Sequence, residues 1–107
     1  MLALATSGIL LAACGSTPSA SASRIECAKV AAVLSDGPDP SADPVGYAEA
    51  QILPLRQLRL SNGAITAAVD ELATAYHQLF VADGSSSRHA VAIAESSVNA
   101  VCPRVAP

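Results

Sequence analysis

Tryptophan is absent from this 107-residue chain, and only three aromatic residues occur, Tyr47, Tyr76 and Phe80. Lysine occurs once, at Lys29, beside five arginines, and the net charge is −3 with both signs interspersed. With no basic stripe to neutralise phosphates and no set of aromatics to stack bases, nucleic acid is excluded as a partner. No run combines Val, Ile, Thr and aromatics as a sheet requires. The 51% hydrophobic content is largely Ala and Leu, which favour helix, so the expected class is all-α. Nor does any apolar run reach the ~20 residues that span a bilayer.

The patterns that carry chemistry are missing as well. There is no Gly-x-Ser-x-Gly elbow and no glycine loop to cradle a phosphate. Asp70 and Glu71 are sequence neighbours that point in different directions on a helix, so they do not form a working carboxylate pair. His77 and His89 are the only histidines, and His77 has no carboxylate three or four positions before it. Both are read as surface residues, and Ser96-Ser97 as small residues at a close helix contact. The expectation is a non-enzymatic protein with no metal and no cofactor.

What is present begins with Leu11-Ala12-Ala13-Cys14-Gly15, which resembles the lipobox of bacterial lipoproteins. In that motif a small-residue cleavage site precedes a cysteine that is diacylated on sulfur and becomes the new N-terminus. Residues 1–13 have the length of a signal-peptide apolar region. An export signal opens with Lys or Arg, yet none precedes Arg24. The true start is therefore expected upstream of Met1, where a basic in-frame stretch would mark it. Residues 14–23 read as a lipidated, flexible linker, since Gly15 to Ser23 is a low-complexity spacer with no bulky side chain to bury.

Residues 24–104 are expected to form the folded domain. A first helix runs from about Arg24 to Leu34, with Ser23 as N-cap and Glu26 completing a capping box. Its apolar side is Ile25, Ala28, Ala32 and Val33, flanked by Val30 and Leu34. The Asp-Gly-Pro-Asp-Pro stretch breaks it. Asp43-Pro44 then opens a second helix carrying Val45, Ala48, Ile52, Leu55 and Leu58, with Arg56 and Arg59 in its last turns. Pro54 is expected to kink that helix or split it in two. The third helix, 64–81, has one apolar stripe of Ile65, Ala68, Val69, Leu72, Tyr76, Leu79 and Phe80. After a polar break at Ser85–Ser87 the last helix, 88–101, buries Ala90, Val91, Ala94, Val98 and Val101, and Val105 onward is a short tail.

Cys27 and Cys102 remain once Cys14 is assigned to the lipobox. An even pair in an exported chain is most simply a disulfide; two separate buried thiols are the alternative. Neither cysteine has a His or second Cys at ligand spacing. Four helices with short links pack as an antiparallel bundle, which puts the start of the first helix and the end of the fourth together. The disulfide agrees with that topology and closes an interval worth about 4 kcal/mol in chain entropy.

The Leu-Ala-Ala-Cys-Gly box, the Asp-Pro-Val-Gly-Tyr-Ala opening of helix two and the Leu-Ala-Thr-Ala-Tyr-His-Gln-Leu of helix three, with a cysteine near each end of the domain, together resemble the small exported helical lipoproteins of actinobacteria. The resemblance implies a lipid-anchored position on the extracytoplasmic face of the cell membrane and brings no settled activity. The expected role is binding or structural, with another envelope protein as partner. The alternative is a module that binds a small molecule or lipid in the bundle interior, with Tyr47, Tyr76 and Phe80 lining a candidate pocket. Arg56 and Arg59 are read first as a solvated helix end; the alternative is a small basic edge that touches anionic lipid headgroups or a partner's acidic face.

Overall fold

The described residues form four α-helices: α1 (Ala20–Leu34), α2 (Pro44–Gln57), α3 (Gly63–Val81) and α4 (Ser85–Val101). The computed structural model describes residues 20–107. The expected signal segment 1–13, Cys14 and the expected linker as far as residue 19 lie outside the described residues, among which there is no strand.

Local chemistry sets the helix starts. Asp43 Oδ1 accepts the Gly46 N–H at 3.0 Å, and Pro44 occupies the first turn, where its missing N–H costs nothing. A Cβ on Gly46 would collide with that capping carboxylate. Asn62 Oδ1 caps α3 by accepting the Ile65 N–H at 3.0 Å. At α4 the Gly84 N–H donates to Ser87 Oγ at 3.0 Å, and the Ser87 hydroxyl donates back to the Ala82 carbonyl at 2.7 Å. The expected break at Ser85–Ser87 is thus the first turn of α4.

Four other expectations need correction. α1 starts at Ala20, so Ser23 lies within the helix and does not cap it. α2 is not split at Pro54, which sits three residues from its last residue, Gln57, and removes only a bond to the Ala50 carbonyl. Leu58 then turns extended, leaving Arg59 beyond the helix and not in its last turn. The tail folds back: Arg104 adopts a φ of 64°, and Asn99 Oδ1 accepts the Val105 and Ala106 N–H groups at 2.9 and 2.8 Å. Val105 and Ala106 pack against the core.

The helices form a bundle with alternating directions. Cys27, midway along α1, is bonded to Cys102, the C-cap of α4, with their Cα atoms 5.4 Å apart. At this disulfide end Glu26 reaches the connection that leads into α3: the Ser61 N–H, the Ser61 hydroxyl and the Asn62 N–H all donate to its carboxylate, at 2.8, 2.7 and 2.9 Å. These bonds replace the expected capping box and hold the carboxyl below its ordinary pKa. At the opposite end the Tyr47 hydroxyl, from the first turn of α2, donates to the carbonyl of Leu34, the last residue of α1.

α3 packs along both α2 and α4, whereas α1 touches α2 and α3 more lightly and is tied to the C-cap of α4 by the disulfide. The core contains Val30, Ala48, Leu55, Leu72, Ala73, Tyr76, Ala94 and Val98. Pinning Glu26 and Cys27 inward turns α1 so that Val30 and Leu34 are buried while Ile25, Ala28 and Ala32 face solvent, a rotation from the expected face. The α3 stripe is as expected except at Phe80, which is 44% exposed.

Candidate functional site

The bundle places Tyr47 of α2 and Tyr76 of α3 together at its tyrosine end. Their ring centroids are 5.8 Å apart at 86°, the edge-to-face arrangement that aromatic quadrupoles favour. The Tyr76 hydroxyl donates to Glu95 Oε2 of α4 at 2.8 Å. Burial pushes the Tyr47 phenol up to about 12, and the nearby Glu95 charge pushes the same way. Tyr76, only 1% exposed, is raised further by burial and by Glu95. Burial raises the Glu95 carboxyl as well, against the lowering effect of the Tyr76 hydroxyl bond.

Beside this cluster lies a cleft of about 260 Å³, bordered by Pro40, Pro44, Arg88, Val91, Glu95 and Pro107. Both phenols are protonated at neutral pH and serve as donors, so neither is an activated nucleophile or base. Arg88 is held by Asp83 through two bonds of 2.7 and 2.9 Å. The arrangement offers two protonated phenols and one carboxylate as hydrogen-bonding groups beside the cleft.

Of the expected pocket residues, Tyr47 and Tyr76 come together and Phe80 does not: it is one turn beyond Tyr76 on α3 and faces solvent. Cys27 and Cys102 form the bond described above. Cys14, the expected lipidation site, lies outside the described residues. Glu95 was not among the expected residues, although a signal exists in the sequence. It falls between Val91 and Val98 at helical spacing, a carboxylate inside an apolar stripe. Gln51 is similar, lying in register with Ala48 and Leu55; its Nε2 donates to the Asp36 carbonyl at 2.6 Å, while its buried Oε1 finds no partner among the described residues.

A shallow groove at the α3–α4 turn collects His77, Asp83, Ser86 and Ser87. These residue types suit nucleophilic catalysis, but they are not connected that way. Asp83 is paired with Arg88, the Ser87 hydroxyl is used at the α4 start, and the His77 side chain makes no hydrogen bond with a described residue. Among the described residues no group of three or more His, Cys, Asp and Glu is arranged to hold a metal ion.

Three shallow depressions follow one another along the outer surface of the α3–α4 hairpin. The first two share Gln78 and Ala90, and the last two share Ile93. Ile93, 50% exposed, projects among Thr74, Ala75, Ala90, Ala92 and Ala100. Ser96 and Ser97 face this open surface and not a helix contact within the bundle; the Ser97 hydroxyl donates to the Ile93 carbonyl at 3.2 Å.

Among the described residues no helix is long and apolar enough to cross a membrane. Comparison with models of known families, with characterised proteins and with solved structures found no match.

Proposed function

We propose that the chain is a lipid-anchored cell-envelope protein, held at the extracytoplasmic face through Cys14, whose bundle binds another envelope protein without catalysing a reaction. The observation that carries the reading is the outer face of the α3–α4 hairpin. Its small side chains allow a partner helix to approach closely, and Ile93 stands out as an anchor that such a helix would cover. Asp70 and Glu71 border the same surface, so the complementary partner carries basic residues at its rim. The lipobox and the low-complexity segment that follows it support the anchor; the disulfide is at home in an oxidising compartment.

The test is recovery of the protein from native membranes in wild-type and Ile93→Glu forms. Ile93 is outside the core, so the variant keeps its melting temperature. A protein recovered with the wild type and lost with the variant supports the reading; recovery of the same material with both removes it.

A second reading rests on the cleft at Glu95, where a ligand with a donor group would meet the carboxylate beside Tyr76. At about 260 Å³ the cleft is smaller than the usual drug-sized pocket, which ranks this reading second.

A further inference from the structure

The arginines are not spread evenly over the bundle. Arg56 closes α2, Arg59 lies in the link between α2 and α3, and Arg104 is at the turn after Cys102, so all three are at the disulfide end. Arg24, in the second turn of α1, belongs to the same end. In the extended link, Leu58 and Leu60 pack inward against the core, and Arg59 between them turns outward. Arg56, Arg59 and Arg104 are exposed, and none forms an ion pair with a described residue. The one carboxylate near them, Glu26, is buried and occupied by three hydrogen bonds.

The tyrosine end has the opposite character. Asp36, Asp39 and Asp43 lie in the α1–α2 loop and Asp83 at the α3–α4 turn, and the single arginine there, Arg88, is bound to Asp83. α3 has 19 residues and separates the two ends by about 28 Å. That is nearly three times the screening length of about 10 Å at 0.1 M salt. A charged surface touching the disulfide end therefore meets the arginines and not the aspartates, even though the chain as a whole carries −3.

We infer that the disulfide end is a docking surface for anionic lipid headgroups, with Arg56, Arg59 and Arg104 as its contacts. The inference extends the proposed anchoring, because the chain leading from Cys14 enters the bundle at this end through α1. A tether there brings the basic end to the bilayer and turns the acidic end away from it. The α3–α4 face is then left standing along the membrane normal, open to a neighbour. Sequence spacing shows Arg56 and Arg59 as a basic edge; the topology adds Arg104 to it from the far end of the domain.

The test is partitioning of the full unacylated chain onto vesicles of phosphatidylcholine alone and of phosphatidylcholine mixed equally with phosphatidylglycerol, at low and high salt. Comparing the two vesicles cancels any affinity of the apolar N-terminal segment for lipid as such. The inference expects tighter binding to the anionic vesicles that salt weakens. Each of Arg56→Gln and Arg59→Gln should weaken it by about five-fold, and Arg88→Gln, an equal change of charge at the other end, should leave it unchanged. Equal binding to both vesicles, or equal loss with Arg59→Gln and Arg88→Gln, overturns it. The mass of protein extracted from membranes reports on Cys14 separately: an unacylated Cys14 would end the anchor reading and leave the vesicle result standing.

Discussion

The two ends of the bundle are closed by different chemistry. At the disulfide end a covalent bond and a fully engaged carboxylate hold α1 against the start of α3 and the end of α4. At the tyrosine end the Tyr47 hydroxyl ties α2 to the last residue of α1, and the Tyr76 hydroxyl ties α3 to the half-buried Glu95 of α4, next to a cleft. The difference teaches where this small helical domain has room to vary. α1 packs lightly along its length, so its attachment depends on the two ends. The disulfide end has no slack, while the tyrosine end contains both the cleft and a carboxylate that burial disfavours.

The largest effect should come from breaking the disulfide end. Replacing Cys27 and Cys102 together by serine releases the constraint over a 75-residue separation and should lower the unfolding free energy by about 4 kcal/mol, read by chemical denaturation. Next is Tyr76→Phe, which leaves Glu95 without its donor in a half-buried site. It should destabilise by about 1–3 kcal/mol, and Glu95→Gln added to it should recover part of the loss, because the remaining group is neutral. Smaller still is Gly37→Ala. Gly37 has a φ of 96°, and a Cβ there would stand 3.0 Å from Gln51 Nε2, so a loss of about 1–2 kcal/mol is expected in melting experiments.

A change of pH should separate the ends by sign. The Glu26 carboxyl is lowered on folding, so its contribution is present above the unfolded pKa and disappears as pH falls through the folded value. The Glu95 carboxyl is raised, so its contribution is full below the unfolded pKa and is lost as pH rises through the folded value. Unfolding measured from pH 3 to pH 7 should therefore show Glu26→Gln flattening the acid-side loss and Glu95→Gln improving stability near neutrality. If both variants shift the curve the same way, the contrast between the ends fails.

Periodicity and capping made the helix order, the α3 stripe and the disulfide readable from sequence, because each depends on residues close together or on a count of cysteines. Two kinds of information were not local. The facing of α1 was set by Glu26 bonding to Ser61 and Asn62, 35 and 36 residues away, which turned Val30 inward and Ile25 outward. The return of the tail depended on Asn99 capturing Val105 and Ala106. At the site, Tyr47 and Tyr76 were legible as scarce aromatics in apolar register. Phe80 shared that register but is exposed near the end of α3. Glu95 and Gln51 were hidden as polar letters in apolar stripes, where a pattern search treats them as interruptions although the fold uses them as hydrogen-bonding groups.

The most direct measurement is photo-crosslinking in native membranes from three exposed positions, Ile93 on the α3–α4 face, Arg59 at the disulfide end and Glu49 on α2. The account predicts a discrete protein adduct from position 93, lipid adducts from position 59 and neither from position 49. Lipid adducts alone from position 93, or the same protein adduct from positions 93 and 49, would contradict it.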